Sequence, residues 1–179
     1  MILPVVLYGN PILRVKCSQI TNDYPQLSTL IDNMWETMYN SNGVGIAAPQ
    51  INLPIRLFVV DTLQLKDIPN GIKQVFINPT IISYSEQTNS HNEGCLSLPG
   101  ISESIRRSDK ITINYFDENF VEKTEEFSTL NARVIQHEYD HIEGKLFIDY
   151  LSALSKKLLK GRLTDIQSGK IKTKYKTKK

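Results

Sequence analysis

Cysteine is scarce in this chain of 179 residues: Cys17 and Cys95 are the only two, and no CxxC pair exists. A disulfide framework is therefore not expected as the source of stability, and a reducing compartment is expected. No apolar run is long enough to span a membrane, and Met1-Ile2-Leu3-Pro4 opens no signal peptide. A cytoplasmic protein without membrane contact is expected. A protein without an arginine- and serine-rich leader of the organellar kind is expected, and no internal repeat is found. Gly43-Val44-Gly45-Ile46-Ala47-Ala48-Pro49-Gln50 has two glycines but neither a third nor a P-loop lysine, which argues against a nucleotide loop. Its small residues instead suggest a backbone that must approach a ligand closely, and the Gln50 amide can donate to a developing oxyanion.

Histidine is equally sparse, yet two of the three stand in one short stretch, His137-Glu138-Tyr139-Asp140-His141. On a helix, residues four apart stack one turn above each other, so His137 and His141 can ligate one metal ion. Glu138 lies about 100° round from His137, close enough to serve a reacting water without being a ligand. Such a layout suits a hydrolase that draws its nucleophile from water on a metal. Leu130, Val134, His137 and His141 share one stripe, so both imidazoles should point inward. Ser128 or Thr129 can start this helix and Gly144 can end it. The competing explanation is a surface helix that carries two histidines by chance.

A catalytic metal site needs a third protein ligand and an open position. The candidates are Cys17, Cys95, His91 and the carboxylates. Cys95 stands out through its setting, Glu93-Gly94-Cys95-Leu96-Ser97-Leu98-Pro99-Gly100, a constrained loop or strand end that can present a thiolate. Cys17 reads as a free structural thiol and His91 as an ordinary polar loop residue.

These three segments, GxGxAAxQ at 43–50, EGCxS at 93–97 and HExxH at 137–141, stand in the order found in peptide deformylases, and the chain resembles that family. Leu7-Tyr8-Gly9-Asn10-Pro11-Ile12-Leu13-Arg14 also looks like the family's N-terminus, so the resemblance covers about residues 1–155. It implies hydrolysis of the formyl group from the N-terminal formylmethionine of new proteins, with release of formate. It implies that Cys95, His137 and His141 hold one divalent metal, usually Fe2+, with Zn2+, Ni2+ or Co2+ accepted. Glu138 becomes the general acid/base, and Gln50 with the Leu96 N–H the oxyanion donors. Gly43, Val44, Gly45, Gly94, Arg133 and Val134 are expected around the substrate, Arg133 lining a methionine pocket with its stem while its charged end snorkels outward. Some members have an arginine near the position of Ser102, for which Arg106 or Arg107 could compensate. A zinc metallopeptidase is the alternative enzyme, but no histidine follows His141 to complete such a site. A non-catalytic ribosome-associated protein with a structural metal is the other, and it would need neither Glu138 nor Gln50.

The fold class is read as α+β: antiparallel sheets packed around a central metal-binding helix, with a C-terminal helix. A helix opens at Pro25-Gln26-Leu27, with Leu27, Leu30, Ile31, Met34 and Met38 on one face, and stops at Asn42-Gly43. Strands are expected at 55–61, 73–78, 81–85, 110–116 and 120–127, the last two joined by a turn at Asp117-Glu118-Asn119. Residues 1–168 should form a single catalytic domain and 169–179 a disordered basic tail. The formal net charge of +2 hides an asymmetry. Residues 151–179 carry ten Lys/Arg against one acid, while residues 1–150 carry eleven against eighteen. The helix over 152–167 should set Leu154, Leu158 and Leu159 against its lysines. The tail Lys170–Lys179 should be dispensable for chemistry and contact the ribosome through its charge. A monomer is expected.

Overall fold

The structure is a computed structural model that describes every residue except 67–69 and 179. In chain order its elements are β1 (Val5–Val6), α1 (Leu27–Asn40), β2 (Gly45–Ala47), β3 (Leu57–Asp61), β4 (Lys73–Tyr84), β5 (Thr88–Gly94), β6 (Ser102–Ser108), β7 (Lys110–Phe116), β8 (Glu122–Ser128), α2 (Thr129–Ile142), α3 (Ala153–Ser168) and β9 (Thr177–Lys178). Five strands form an antiparallel sheet in the order β2-β3-β4-β7-β8; β5 and β6 form a separate hairpin, and β1 pairs in parallel with β9.

The large sheet is covered on both faces. Along β3, Leu57 and Val59 pack with Met34 and Met38 of α1, while Phe58 and Val60 pack with Ala132 and Ile135 of α2. That is why Leu57-Phe58-Val59-Val60 reads as a continuous apolar run rather than an alternating one. A third cluster joins Leu98, Ile101 and Ile105 to Phe147, Leu159 and Ile166, fixing α3 over the hairpin. This is the expected α+β architecture, with α2 at its centre.

Several boundaries differ from the sequence reading for identifiable reasons. The two strands expected at 73–78 and 81–85 are one strand with register shifts between Ile77 and Thr80 and between Ile81 and Ser83. Asn78, at φ 49°, interrupts the alternation there, and its side chain pairs with the Ile20 N–H (2.9 Å) and Ile20 carbonyl (2.7 Å). The hairpin β5–β6 went unread because Thr-Asn-Ser-His-Asn-Glu-Gly and Ser-Glu-Ser-Ile-Arg-Arg-Ser carry almost no apolar signal. On α3, Leu154 and Leu158 are 68% and 76% exposed; the docked face is Leu159, Leu163 and Ile166, one helical stripe. Arg106 and Arg107 both lie on β6, but only Arg106 faces outward, bonding Thr88 Oγ1 at 2.7 Å.

The largest difference is at the C-terminus. From Ile171 to Lys178 burial alternates strictly, with Lys172, Lys174, Lys176 and Lys178 exposed and Ile171, Thr173, Tyr175 and Thr177 partly covered. What reads as a spaced charge run has a period of two in burial, although only Thr177–Lys178 is strand and the chain bends at Lys174 and Tyr175. Val5 N–H donates to the Lys176 carbonyl and Leu7 N–H to the Lys178 carbonyl, both at 2.9 Å, while Ile171 and Tyr175 pack against the core. Lys179, the end of the expected tail, lies outside the described residues.

Strand β8 runs directly into α2: Ser128 occupies the cap position without a side-chain bond, and Thr129 N–H donates to the Asp109 carbonyl at 2.8 Å. The far end is closed by Gly144 at φ +73°, where a Cβ would fall 2.7 Å from the Arg14 carbonyl oxygen. Gly144→Ala is therefore expected to destabilise the protein by about 1–3 kcal/mol, combining left-handed strain with a backbone clash. Urea unfolding checks this as a lower midpoint at unchanged slope.

Candidate metal centre

The inward stripe of α2 delivers His137 and His141 to the same cavity, their ring centroids 5.1 Å apart. The third donor arrives from outside the helix. Strand β5 ends at Gly94, and Cys95 opens a turn in which Leu98 N–H donates to the Cys95 carbonyl at 3.0 Å. The thiol, His137 and His141 offer ligand atoms that all lie within 4.8 Å of one another, with Cys95 Sγ 3.2 Å from His141 Nε2. Cys17 is buried elsewhere beside Val15, and burial pushes its thiol up to about 11. His91 stands on β5 at the cavity edge. Among the described candidates for third ligand, the fold brings only Cys95 to both histidines.

One thiolate-capable sulfur and two imidazoles form a donor set suited to a divalent transition ion. The surroundings fit a cation as well. Burial works against charge on His137, yet Cys95 and Glu93 pull its pKa well above the usual imidazole range. Burial, reinforced by His137, holds His141 well below that range, in the neutral form that ligates.

Glu93, which the sequence offered only as part of EGCxS, organises the centre. One carboxylate oxygen lies 3.0 Å from His137 Nδ1 and accepts from Arg107 at 3.0 Å; the other accepts from Arg107 Nε at 2.6 Å and Arg133 at 2.7 Å. With Nδ1 engaged, His137 presents Nε2 to the ligand cluster. Burial would raise the Glu93 pKa, but its bonds to His137 and Arg107 bring it down to about 2. Arg107 also reaches Asp140 at 2.8 Å, and Asp140 accepts from the Tyr150 hydroxyl at 2.9 Å.

Two expectations are corrected here. Arg133 lines the cavity, but its guanidinium turns inward to Glu93 and the Ile105 and Asn89 carbonyls, because buried partners outweigh solvent for a cation that can be fully bonded. Arg107 is buried between Glu93 and Asp140 and cannot substitute for a substrate-contacting arginine.

Glu138 is buried, and its Oε2 has no hydrogen-bond partner. Burial raises its pKa to about 7, with Glu93 adding to the rise and His137 opposing it. A Cβ at Gly45 would fall 2.6 Å from Glu138 Oε1, so the close approach that the glycines signal is made to this carboxylate. Gln50 is held by Ala47 N–H donating to Oε1 at 2.8 Å, which turns its amide NH2 toward Ser97 Oγ (3.2 Å) and Cys95 Sγ (3.5 Å). These groups border a cavity of about 540 Å³ whose walls include Gly43, Val44, Gly94, Leu96, Leu130 and Val134. Tyr175, on the supposed tail, is a wall residue that the sequence reading missed; its period-two spacing was the available signal.

The chain matches the family model described as polypeptide deformylase over residues 2–157. A peptide deformylase from Christiangramia forsetii is 49% identical, with 98% of this chain and 95% of that protein covered. Among solved structures, a peptide deformylase from Legionella pneumophila superposes with a TM-score of 0.84 at 33% identity, covering 95% of this chain and 98% of that one. A Met-Ala-Ser-bound class I type b peptide deformylase from Acinetobacter baumannii gives 0.79 at 31%, covering 84% and 99%.

Glu93→Gln removes the anion from two buried arginines, and a loss of about 3–5 kcal/mol is expected. Because the folded-state pKa lies below the ordinary 4.5, Glu93 contributes stability that is present above about 4.5 and is lost as pH falls toward 2. Acid unfolding should therefore be shallower in Glu93→Gln over that window, and chelator competition should show metal held ~10–100-fold more weakly.

Proposed function

The chain belongs to the polypeptide deformylase family, and from that premise we propose that Cys95, His137 and His141 hold the single metal ion with which it removes formyl groups from nascent N-formylmethionyl chains. The observation that carries this reading is the convergence of three donor atoms beside a buried, unpartnered Glu138 in one substrate-sized cavity. Ferrous iron is the expected ion, with Zn2+, Ni2+ and Co2+ as substitutes. When bound, it supplies a Lewis acid that acidifies water and polarises the formyl carbonyl.

The chain's own groups divide the remaining work. Glu138 takes up a proton from water and passes it to the departing amine, and a pKa near 7 suits both steps. Gln50, its orientation locked by Ala47, and the Leu96 N–H donate to the developing oxyanion. Gly45 keeps the space beside Glu138 open, and a side chain there would displace the carboxylate. Leu96, Leu130 and Val134 supply apolar wall suited to a methionine side chain. A Met-Ala-Ser-bound relative supports formyl-Met-Ala-Ser as the probe.

On this reading the enzyme is a cytoplasmic monomer that works beside the ribosome. The exposed lysines of the C-terminal segment and the cations of α3 are the groups that would meet RNA.

Formate release from formyl-Met-Ala-Ser tests the activity; internal peptide cleavage without formate would sink it. Glu138→Gln should keep its metal and fold while losing ~10²–10⁴-fold in rate. Gln50→Ala should lower kcat on the order of 10²-fold with KM little changed. Cys95→Ser should lose metal on dialysis, since a hydroxyl ligates far more weakly than a thiolate.

A further inference from the structure

The turn that presents Cys95 lies outside every helix and strand, yet all three of its leading carbonyls are engaged. The Cys95 carbonyl accepts from Leu98 N–H within the turn at 3.0 Å. The Ser97 carbonyl accepts from Tyr8 N–H at 2.8 Å, just beyond β1. The Leu96 carbonyl accepts from the Tyr175 hydroxyl at 2.7 Å, a side chain from the C-terminal segment. Segment 171–178 lies beyond residues 2–157, the part that matches the family model.

We propose that Tyr175 is a positioning residue for deformylation, acting through its bond to Leu96 to hold the Cys95 turn. The inference rests on the reading above, in which Cys95 is a ligand and the Leu96 N–H an oxyanion donor. In this four-residue turn Leu96 and Ser97 are the interior residues. The Leu96 N–H lies in the peptide that joins Cys95 to Leu96, so holding the interior restrains its direction and the backbone that carries Sγ. Tyr8 fixes the second peptide of that interior and Tyr175 the first. The tyrosine is itself anchored. Lys176, the next residue, bonds Val5 through the β1–β9 pairing, Thr173 Oγ1 donates to the Tyr175 carbonyl at 2.7 Å, and the ring packs in the cluster that includes Leu96. The hydroxyl therefore reaches Leu96 from a fixed base, and its ring forms part of the substrate cavity wall. On this proposal the tail belongs to the catalytic unit instead of being dispensable for chemistry.

Tyr175→Phe keeps the ring and the wall but removes the bond. With formyl-Met-Ala-Ser, kcat should fall about three- to tenfold, the scale of one intramolecular hydrogen bond, with KM within about twofold. Amide hydrogen exchange over residues 95–98, read by mass spectrometry on the same holoenzyme, should quicken by a similar factor. Leu158→Ser, at an exposed position of α3 away from the cavity, should change neither quantity. Wild-type kcat or wild-type exchange in Tyr175→Phe would overturn the proposal, and so would an equal effect from Leu158→Ser. Absence of formate release by the wild type would instead overturn the deformylase reading, while exchange still reports on the turn.

Discussion

The buried carboxylate of Glu93 is the constraint on which this centre depends. It stands on β5 and engages Arg107 of β6 and both Arg133 and His137 of α2. Those are the elements that must meet for Cys95 to reach His137 and His141. Taken singly, each of these charges would be expensive to bury. Together, Glu93 and Asp140 balance Arg107 and Arg133, and each guanidinium is held by several acceptors. Docking the hairpin on α2 and forming the ligand cluster are thus one event. The network spends polar groups on geometry where a core of equal volume could have been apolar, and the return is a fixed imidazole orientation.

A second constraint is steric. Strand β2 crosses α2 where Glu138 points, and Gly45 lets backbone and carboxylate approach more closely than any side chain would permit. The Ala48–Ile51 turn that follows places Gln50, whose Oε1 is committed to the Ala47 N–H. Its NH2 is thereby held toward Ser97 and Cys95, beside the ligand cluster, without a rotamer search. Glu138 and Gln50 are in this way both fixed by a segment of eight residues, 43–50, whose small side chains have little other reason to occur together.

The chemistry of the site was more legible than its support. His137, Glu138 and His141 announce themselves because helical spacing alone makes them converge, and β7 was read at its observed limits because Ile111, Ile113 and Tyr115 alternate. Glu93 was given no role, and the guanidinium ends of Arg107 and Arg133 were expected elsewhere, because a sequence displays a charge but not the opposite charge that will meet it across the fold. Arginine was assigned to solvent or substrate by default, whereas here two arginines share one buried acid. The hairpin β5–β6 was hidden for the same reason: its inward positions include Glu93 and Arg107, polar residues that carry no hydrophobic period.

The C-terminal segment shows how one pattern can carry two meanings. Ile171-Lys172-Thr173-Lys174-Tyr175-Lys176-Thr177-Lys178 has the composition of a solvated basic tail and the period of a strand. Composition favours disorder only when nothing apolar can be buried, and here every second residue has a face to bury against. A partner strand was available because β1 offers its N–H groups to it. The alternation that turns the lysines outward also turns Tyr175 inward, so the two ends of the chain meet beside the Cys95 turn. A ligand carried on a turn has no helix or sheet ladder of its own to hold it. Its precision must come from bonds made by other segments, and here the N-terminal and C-terminal segments both supply them.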